Sequence, residues 1–157
     1  MKISYSYQKL FTLFLLSICI VSCTKKIDTP IIKIGIIGDS ISGVGTHETF
    51  GMWARMMQMV FFPEYLQEKF EDDPRFELVV VDPQAGSQAT SGPKRVRKML
   101  QNHSIDLLIF ELGANDLLKG GKAEMAAKAI DESITIALSK NIHVLLVGMQ
   151  SSDYRQG

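Results

Sequence analysis

The stretch Ile31-Ile32-Lys33-Ile34-Gly35-Ile36-Ile37-Gly38, followed at once by Asp39-Ser40-Ile41-Ser42-Gly43, decides the fold. A short β-branched run that ends abruptly in glycine and small polar residues reads as a strand buried on both faces, running into a tight turn. Three more runs have the same character: Phe76 to Asp82 (FELVVVD), Asp106 to Leu112 (DLLIFEL) and Ile142 to Gly148 (IHVLLVG). Between them the apolar period changes to that of a helix. Val96, Met99 and Leu100 follow Pro93, which suits a first helical turn, and Ile130, Ile134 and Leu138 recur every fourth residue between Ala123 and Lys140. Pro63 to Pro74 is charged and reads as an excursion before the second strand, placed to shape access to a site. Strand alternating with helix predicts a doubly wound α/β domain of the flavodoxin-like three-layer type with a mainly parallel sheet. Its sites are expected at the carboxyl ends of the strands.

Composition agrees with one globular domain. The 157 residues are 46% hydrophobic, and 17 Lys+Arg balance 17 Asp+Glu, which excludes disorder and disfavours binding to a nucleic-acid backbone. The first residues read separately. Lys2 and Lys9 precede an apolar run of about 12 residues, Leu10 to Val21, too short for a comfortable membrane span and suited to a secretory signal over residues 1–22. Ile20-Val21-Ser22-Cys23 resembles the lipobox of bacterial lipoproteins, which implies acylation of Cys23; a plain signal peptide with an incidental cysteine is the alternative. Residues 23–31 would then form a lipidated start and tether, and 32–157 the folded domain, held on the surface of the cell envelope, periplasm-facing in a Gram-negative cell. Only Cys19 and Cys23 exist, so the domain itself has no disulfide, thiol nucleophile or cysteine metal site.

The loop after the first strand presents Ser40 between glycines, as a nucleophile or as a simple turn former and N-cap. Two rival motifs are disfavoured by the residues at their key positions. A phosphate-binding P-loop needs Lys and Ser/Thr where Val44-Gly45 stands, and the Gly-x-Ser-x-Gly elbow of α/β-hydrolases needs glycine where Ser42 stands. After the third strand comes Glu111-Leu112-Gly113-Ala114-Asn115-Asp116, with Gly120 shortly beyond.

Gly-Asp-Ser-Ile-Ser at the first strand and Gly-Ala-Asn-Asp at the third resemble two sequence blocks of the SGNH hydrolases, the GDSL esterase family. The likeness is greatest to its periplasmic thioesterase, arylesterase and lysophospholipase group and extends from about Ile32 to about Gln150. It implies a serine esterase or thioesterase working through an acyl-enzyme on Ser40, without cofactor or metal, on small or lipid-like acyl substrates. The Asn115 side-chain amide and the backbone N–H groups of Ser40 and Gly86 would form the oxyanion hole. The resemblance implies Gly86 as the glycine donor, and its spacing to Gly92 and Arg95 fits that group; the asparagine often found before this glycine is missing, which leaves a turn glycine as the alternative.

The family's Asp-x-x-His is absent from this sequence, whose histidines are His47, His103 and His143. His47 is close to Ser40 in sequence but reads better as a solvated loop residue. Losing the histidine base of a serine hydrolase costs on the order of a millionfold in turnover. The resemblance also implies a fifth strand and a closing helix, so a C-terminally incomplete form, with Ile142 to Val147 at an apolar sheet edge, is expected. Met52, Met56, Met57 and Met59 beside Trp53, Phe61 and Phe62 suit a helix packed on the sheet, or the lining of an acyl pocket. Two other functions remain open. One is a non-catalytic envelope lipoprotein binding acyl or glycan ligands; the other is a flavodoxin-like phosphate-binding module using Asp39 or the glycine loops.

Overall fold

A computed structural model describes residues 29–43 and 60–148. The elements are β1 (Ile32–Gly38), α1 (Phe62–Glu71), β2 (Phe76–Pro83), a 3-10 turn (Ala89–Ser91) leading into α2 (Gly92–Asn102), β3 (Leu107–Glu111), α3 (Ala114–Leu118), α4 (Ala123–Leu138) and β4 (His143–Leu146). The four strands pair in parallel in the order β2-β1-β3-β4. The expected doubly wound α/β arrangement is therefore present. No described helix is long and apolar enough to cross a membrane.

Strand alternation sorts the core into two layers. Ile34, Ile36 and Ile109 point to one face, where Phe62, Leu66 and Phe70 of α1 pack on them. Ile37, Leu108 and Phe110 point to the other and meet Val96 and Met99 of α2 and Ala137 of α4. Gly35 belongs to the same contact. A Cβ there would come within 2.8 Å of the Met99 sulfur and 2.9 Å of Ile105, so glycine lets α2 lie close to β1.

Three sequence expectations change. Burial on both faces holds for β1 and most of β3, but β2 is only half-buried and β4 is largely exposed. These two lie at the borders of the described sheet, where each has one strand neighbour. The charged excursion from Pro63 to Pro74 is mostly the helix α1. Pro63 is tolerated in its first turn, and the Glu64 carboxylate accepts the Phe61 N–H at 3.0 Å. Its acidic face hid the spacing of Phe62, Leu66 and Phe70. Finally, α4 buries Ala126, Ala129, Ser133 and Ala137, with Ile130 packed alongside, while Leu138 is exposed. Gly92 explains the rotation. A Cβ at Gly92 would meet the Ser133 Oγ at 2.6 Å and the Phe110 ring at 2.7 Å, an approach that only small residues on α4 permit.

Candidate active site

At the carboxyl end of the sheet, Gly38 pairs with Pro83 on one side and Glu111 on the other. The loops that follow β1, β2 and β3 are thereby brought together. The strand order reverses direction at β1 and β3, and that switch point is where doubly wound sheets open a crevice for ligands.

The first loop is built around two carboxylates. Asp39, 1% exposed, accepts the Ile41 N–H on Oδ1 at 3.0 Å, an aspartate turn that leaves the half-buried Ser40 at its bend. Its Oδ2 accepts the Asn115 Nδ2–H at 2.7 Å. Glu111, 2% exposed, accepts the Asp39 N–H at 3.1 Å and the Ser42 hydroxyl at 3.0 Å, both on Oε2. Burial pushes the Glu111 carboxyl above the ordinary range. The bond from the Asp39 N–H pulls the other way, and the nearby Asp39 charge adds to the rise.

The second loop is held by Arg95, a guanidinium 6% exposed. It donates to Asp82 Oδ2 at 2.9 Å, to the Ser87 hydroxyl at 3.1 Å, to the Gly38 carbonyl at 3.0 Å and to the Asp82 carbonyl. Between Asp82 and Ser87 the chain turns at Gly86, whose φ of +74° suits glycine. The Gly86 carbonyl accepts the Lys119 Nζ at 2.6 Å, which fixes the orientation of that peptide.

The third block turns at Gly113 (φ +126°) and continues as the short helix α3, so Asn115 stands in a helical turn rather than in an open loop. Its two polar residues bind different neighbours. Asn115 reaches the first loop, and the Asp116 carboxylate accepts the Ala89 N–H beyond the second loop at 2.7 Å. An amide nitrogen carries two hydrogens, so the bond to Asp39 leaves the second free for a ligand.

Ser40, Gly86 and Asn115 thus lie on three strand-end segments, two loops and the first turn of α3, that are joined by direct hydrogen bonds. Glu111, Arg95 and Asp116 hold those loops in place, roles that the sequence reading did not assign. Their one visible signal was a charge closing or interrupting an apolar run. His143 pairs with Leu107 at the opposite end of the sheet, four positions before Glu111, or about 13 Å along the strand. His103 follows the last turn of α2, just ahead of the start of β3. His47, Cys23, Met52, Trp53, Met56, Met57 and Met59 lie outside the described residues. Phe62 packs in the core, whereas Phe61 borders a groove of about 480 Å3 with Ser42, Gly43, Pro63, Leu78 and Pro83, beside the Ser40 turn. Among the described residues no three His, Cys, Asp or Glu side chains gather to hold a metal.

Sheet order and converging loops define the class: a doubly wound α/β domain sharing the fold of the SGNH hydrolases. Among solved structures, the chain is similar to AlinE4, an SGNH-hydrolase family esterase, with a TM-score of 0.62 and 21% identity over 81% of this chain and 64% of that one. It is similar to TesA with a TM-score of 0.59 and 24% identity over 79% and 64% of the two chains. The psychrotrophic esterase EstA from Pseudoalteromonas sp. has a TM-score of 0.59 and 21% identity over 78% and 62%. In sequence, the chain is 24% identical to an arylesterase of Vibrio mimicus over 133 residues, 85% of this chain. It spans 62% of that relative's length. No family model matches the chain.

Proposed function

We propose that this chain is an ester or thioester hydrolase of the SGNH type, with Ser40 as nucleophile and Asn115, Gly86 and the Ser40 N–H as oxyanion donors. The observation that carries this reading is the 2.7 Å bond from the Asn115 amide to Asp39, the residue before Ser40. It links the two loops whose sequence blocks resemble the family. In the reaction the Ser40 Oγ attacks the substrate carbonyl carbon and gives up its proton to solvent water or hydroxide, since this sequence holds no Asp-x-x-His to serve as base, while the carbonyl oxygen becomes an oxyanion between the donors. Collapse expels the alcohol or thiol, which takes a proton, and water then releases the acid from the acyl-enzyme. His103 and His143, at the opposite end of the sheet, take no part.

The arylesterase and esterase names of the similar proteins support carboxylic esters as the substrate class. The groove beside Ser42 and Gly43 is floored by Leu78, Val81 and Pro83 but rimmed by Glu64, Glu68 and Glu71, so it favours no particular acyl length; lysophospholipids are the lipid-like extreme of the same chemistry. The phosphate-binding alternative is disfavoured by charge, because Asp39 and Glu111 are buried against the first loop and Lys119 is engaged by the Gly86 carbonyl. Attachment to the envelope through acylated Cys23 belongs to the same proposal. Metabolic labelling with radioactive palmitate is expected to mark the wild type and not C23S.

Hydrolysis of p-nitrophenyl acetate, butyrate and decanoate, with fluorophosphonate labelling, tests the activity. Covalent modification of Ser40, lost in S40A, is expected. Truncation of one oxyanion donor in N115A is expected to lower kcat by about 100- to 1,000-fold. Neither hydrolysis nor labelling of the wild type would leave a non-catalytic acyl- or glycan-binding lipoprotein as the better reading.

A further inference from the structure

We propose that Glu111 is a positioning residue, whose single carboxylate oxygen Oε2 clamps both sides of the turn that presents Ser40. The inference rests on the reading of Ser40 as nucleophile. Its structural content can nevertheless be measured without any activity.

Glu111 closes the apolar strand β3 and is 2% exposed. By strand alternation it shares a face with Ile109, and a leucine or methionine would fill that place without taking a carboxyl out of water. Burying such a group is unfavourable unless its hydrogen bonds are made. Here they are made to one short segment. The Asp39 N–H and the Ser42 hydroxyl both donate to Oε2, at 3.1 and 3.0 Å. Ser40 and Ile41 lie between these two anchors, and the Ile41 N–H is tied to Asp39 Oδ1. The backbone on both sides of Ser40 is therefore fixed, and with it the direction of its N–H and side chain.

Gly38 shows how tightly the segment is folded. A Cβ at Gly38 would stand 1.8 Å from the Ser42 Oγ and 2.8 Å from Glu111 Oε2, so the chain doubles back into space that only glycine leaves open. Asp39 continues the connection, since its other oxygen receives the Asn115 amide. One buried carboxylate thereby sets the nucleophile turn, and through Asp39 that turn is held against the proposed oxyanion donor.

Because both donors meet the same oxygen, what the turn requires is an acceptor at one point rather than a negative charge. Glutamine supplies that acceptor. Aspartate keeps the charge but withdraws the oxygen by about 1.5 Å, beyond reach of both donors. In the full chain, E111Q is expected to keep kcat for p-nitrophenyl acetate within about threefold of the wild type. E111D is expected to lose about 100-fold in kcat with little change in KM, as a 1 Å misplacement of a reacting group can. Amide hydrogen exchange at Asp39 and Ile41 is expected to rise about tenfold in E111D, and not in E111Q, while the amides of β2 and α4 keep their protection.

E111D retaining both rate and protection would overturn the proposal. So would E111Q falling as far as E111D, because charge would then be the working property. A wild type that fluorophosphonate does not label would instead sink the nucleophile assignment. Exchange at Asp39 and Ile41 would still decide whether Glu111 holds the turn.

Discussion

Among the described residues, Arg95 connects more of the site than any other single side chain, because its guanidinium holds the end of β1, the end of β2 and the Ser87 hydroxyl at once. R95M is expected to destabilise the fold by about 3 kcal/mol, the low end for breaking a buried ion pair, since the Asp82 side chain is 33% exposed. Urea denaturation followed by circular dichroism measures it, and a loss under 1 kcal/mol, the ordinary worth of a surface pair, would show that water replaces these bonds freely. Glu111 gives a pH-dependent counterpart. Its folded carboxyl binds its proton more tightly than in the unfolded chain, so this contribution to stability is complete below the ordinary value near 4.5 and is lost as pH rises through the folded value. E111Q does not titrate. Its stability relative to the wild type is therefore expected to improve as pH rises above the ordinary value near 4.5, and denaturant midpoints of both proteins from that pH upward check the sign. The turns that carry Ser40, Gly86 and Asn115 were legible in the sequence because each is a short run of glycine and polar residues at a strand end, whereas the roles proposed for the three residues come from the resemblance to the SGNH blocks. Glu111 and Arg95 were not legible as loop holders. The bonds that define them span 72 and 57 residues, and neither local period nor composition records which distant loop a strand-end charge will meet.

Among the elements, α4 shows how packing can override the most apolar stripe of a helix. Its spacing offered Ile130, Ile134 and Leu138, yet the face turned inward carries Ala126, Ala129, Ser133 and Ala137. The cause lies in another element. Gly92 at the start of α2 brings that helix so near α4 and Phe110 that only small side chains fit between them. G92A is therefore expected to cost about 1 to 3 kcal/mol by overpacking. S133A should recover part of that loss by removing the hydroxyl that meets the new methyl, while the Phe110 ring remains in the way. A double-mutant cycle on G92A and S133A is expected to give a coupling above about 0.5 kcal/mol, and strict additivity would place the clash elsewhere. The same reasoning explains α1. Its apolar residues are spaced for one face of a helix, but Pro63 and the intervening Glu64, Gln67 and Glu68 made the segment read as a polar excursion. Burial of Phe62, Leu66 and Phe70 against β1 and β3 settles its conformation, because propensity is weaker than a shared apolar face.

For the whole molecule, doubly wound topology does two things with one strand order. It places β1 and β3 side by side at the centre, which brings the Ser40 and Asn115 loops together, and it puts β2 and β4 at the borders of the described sheet. The first consequence was legible, since ligand sites at the carboxyl ends of parallel strands follow from the alternation of strand and helix alone. The second required the order itself. β4 pairs only with β3 among the described residues, and its apolar side chains remain in water: Leu145 is 51% exposed, Leu146 47% and Val147 36%. Val144 packs toward the core beneath α4, while Leu145 points to the face carrying α1, which lies over β1 and the Ile109 side of β3 and leaves this border strand uncovered. An apolar strand with unpaired backbone groups is a template for another strand, and charged side chains are the usual means of blunting it. Because this edge is open among the described residues, the chain freed of its proposed signal segment is expected to associate with rising concentration in sedimentation velocity. L145K should shift that equilibrium toward monomer without lowering the denaturation midpoint, because Leu145 contributes little buried surface. A wild type that sediments as a monomer at every concentration would show that this edge is covered in solution, and L145K would then be expected to lower stability by uncovering what packs there.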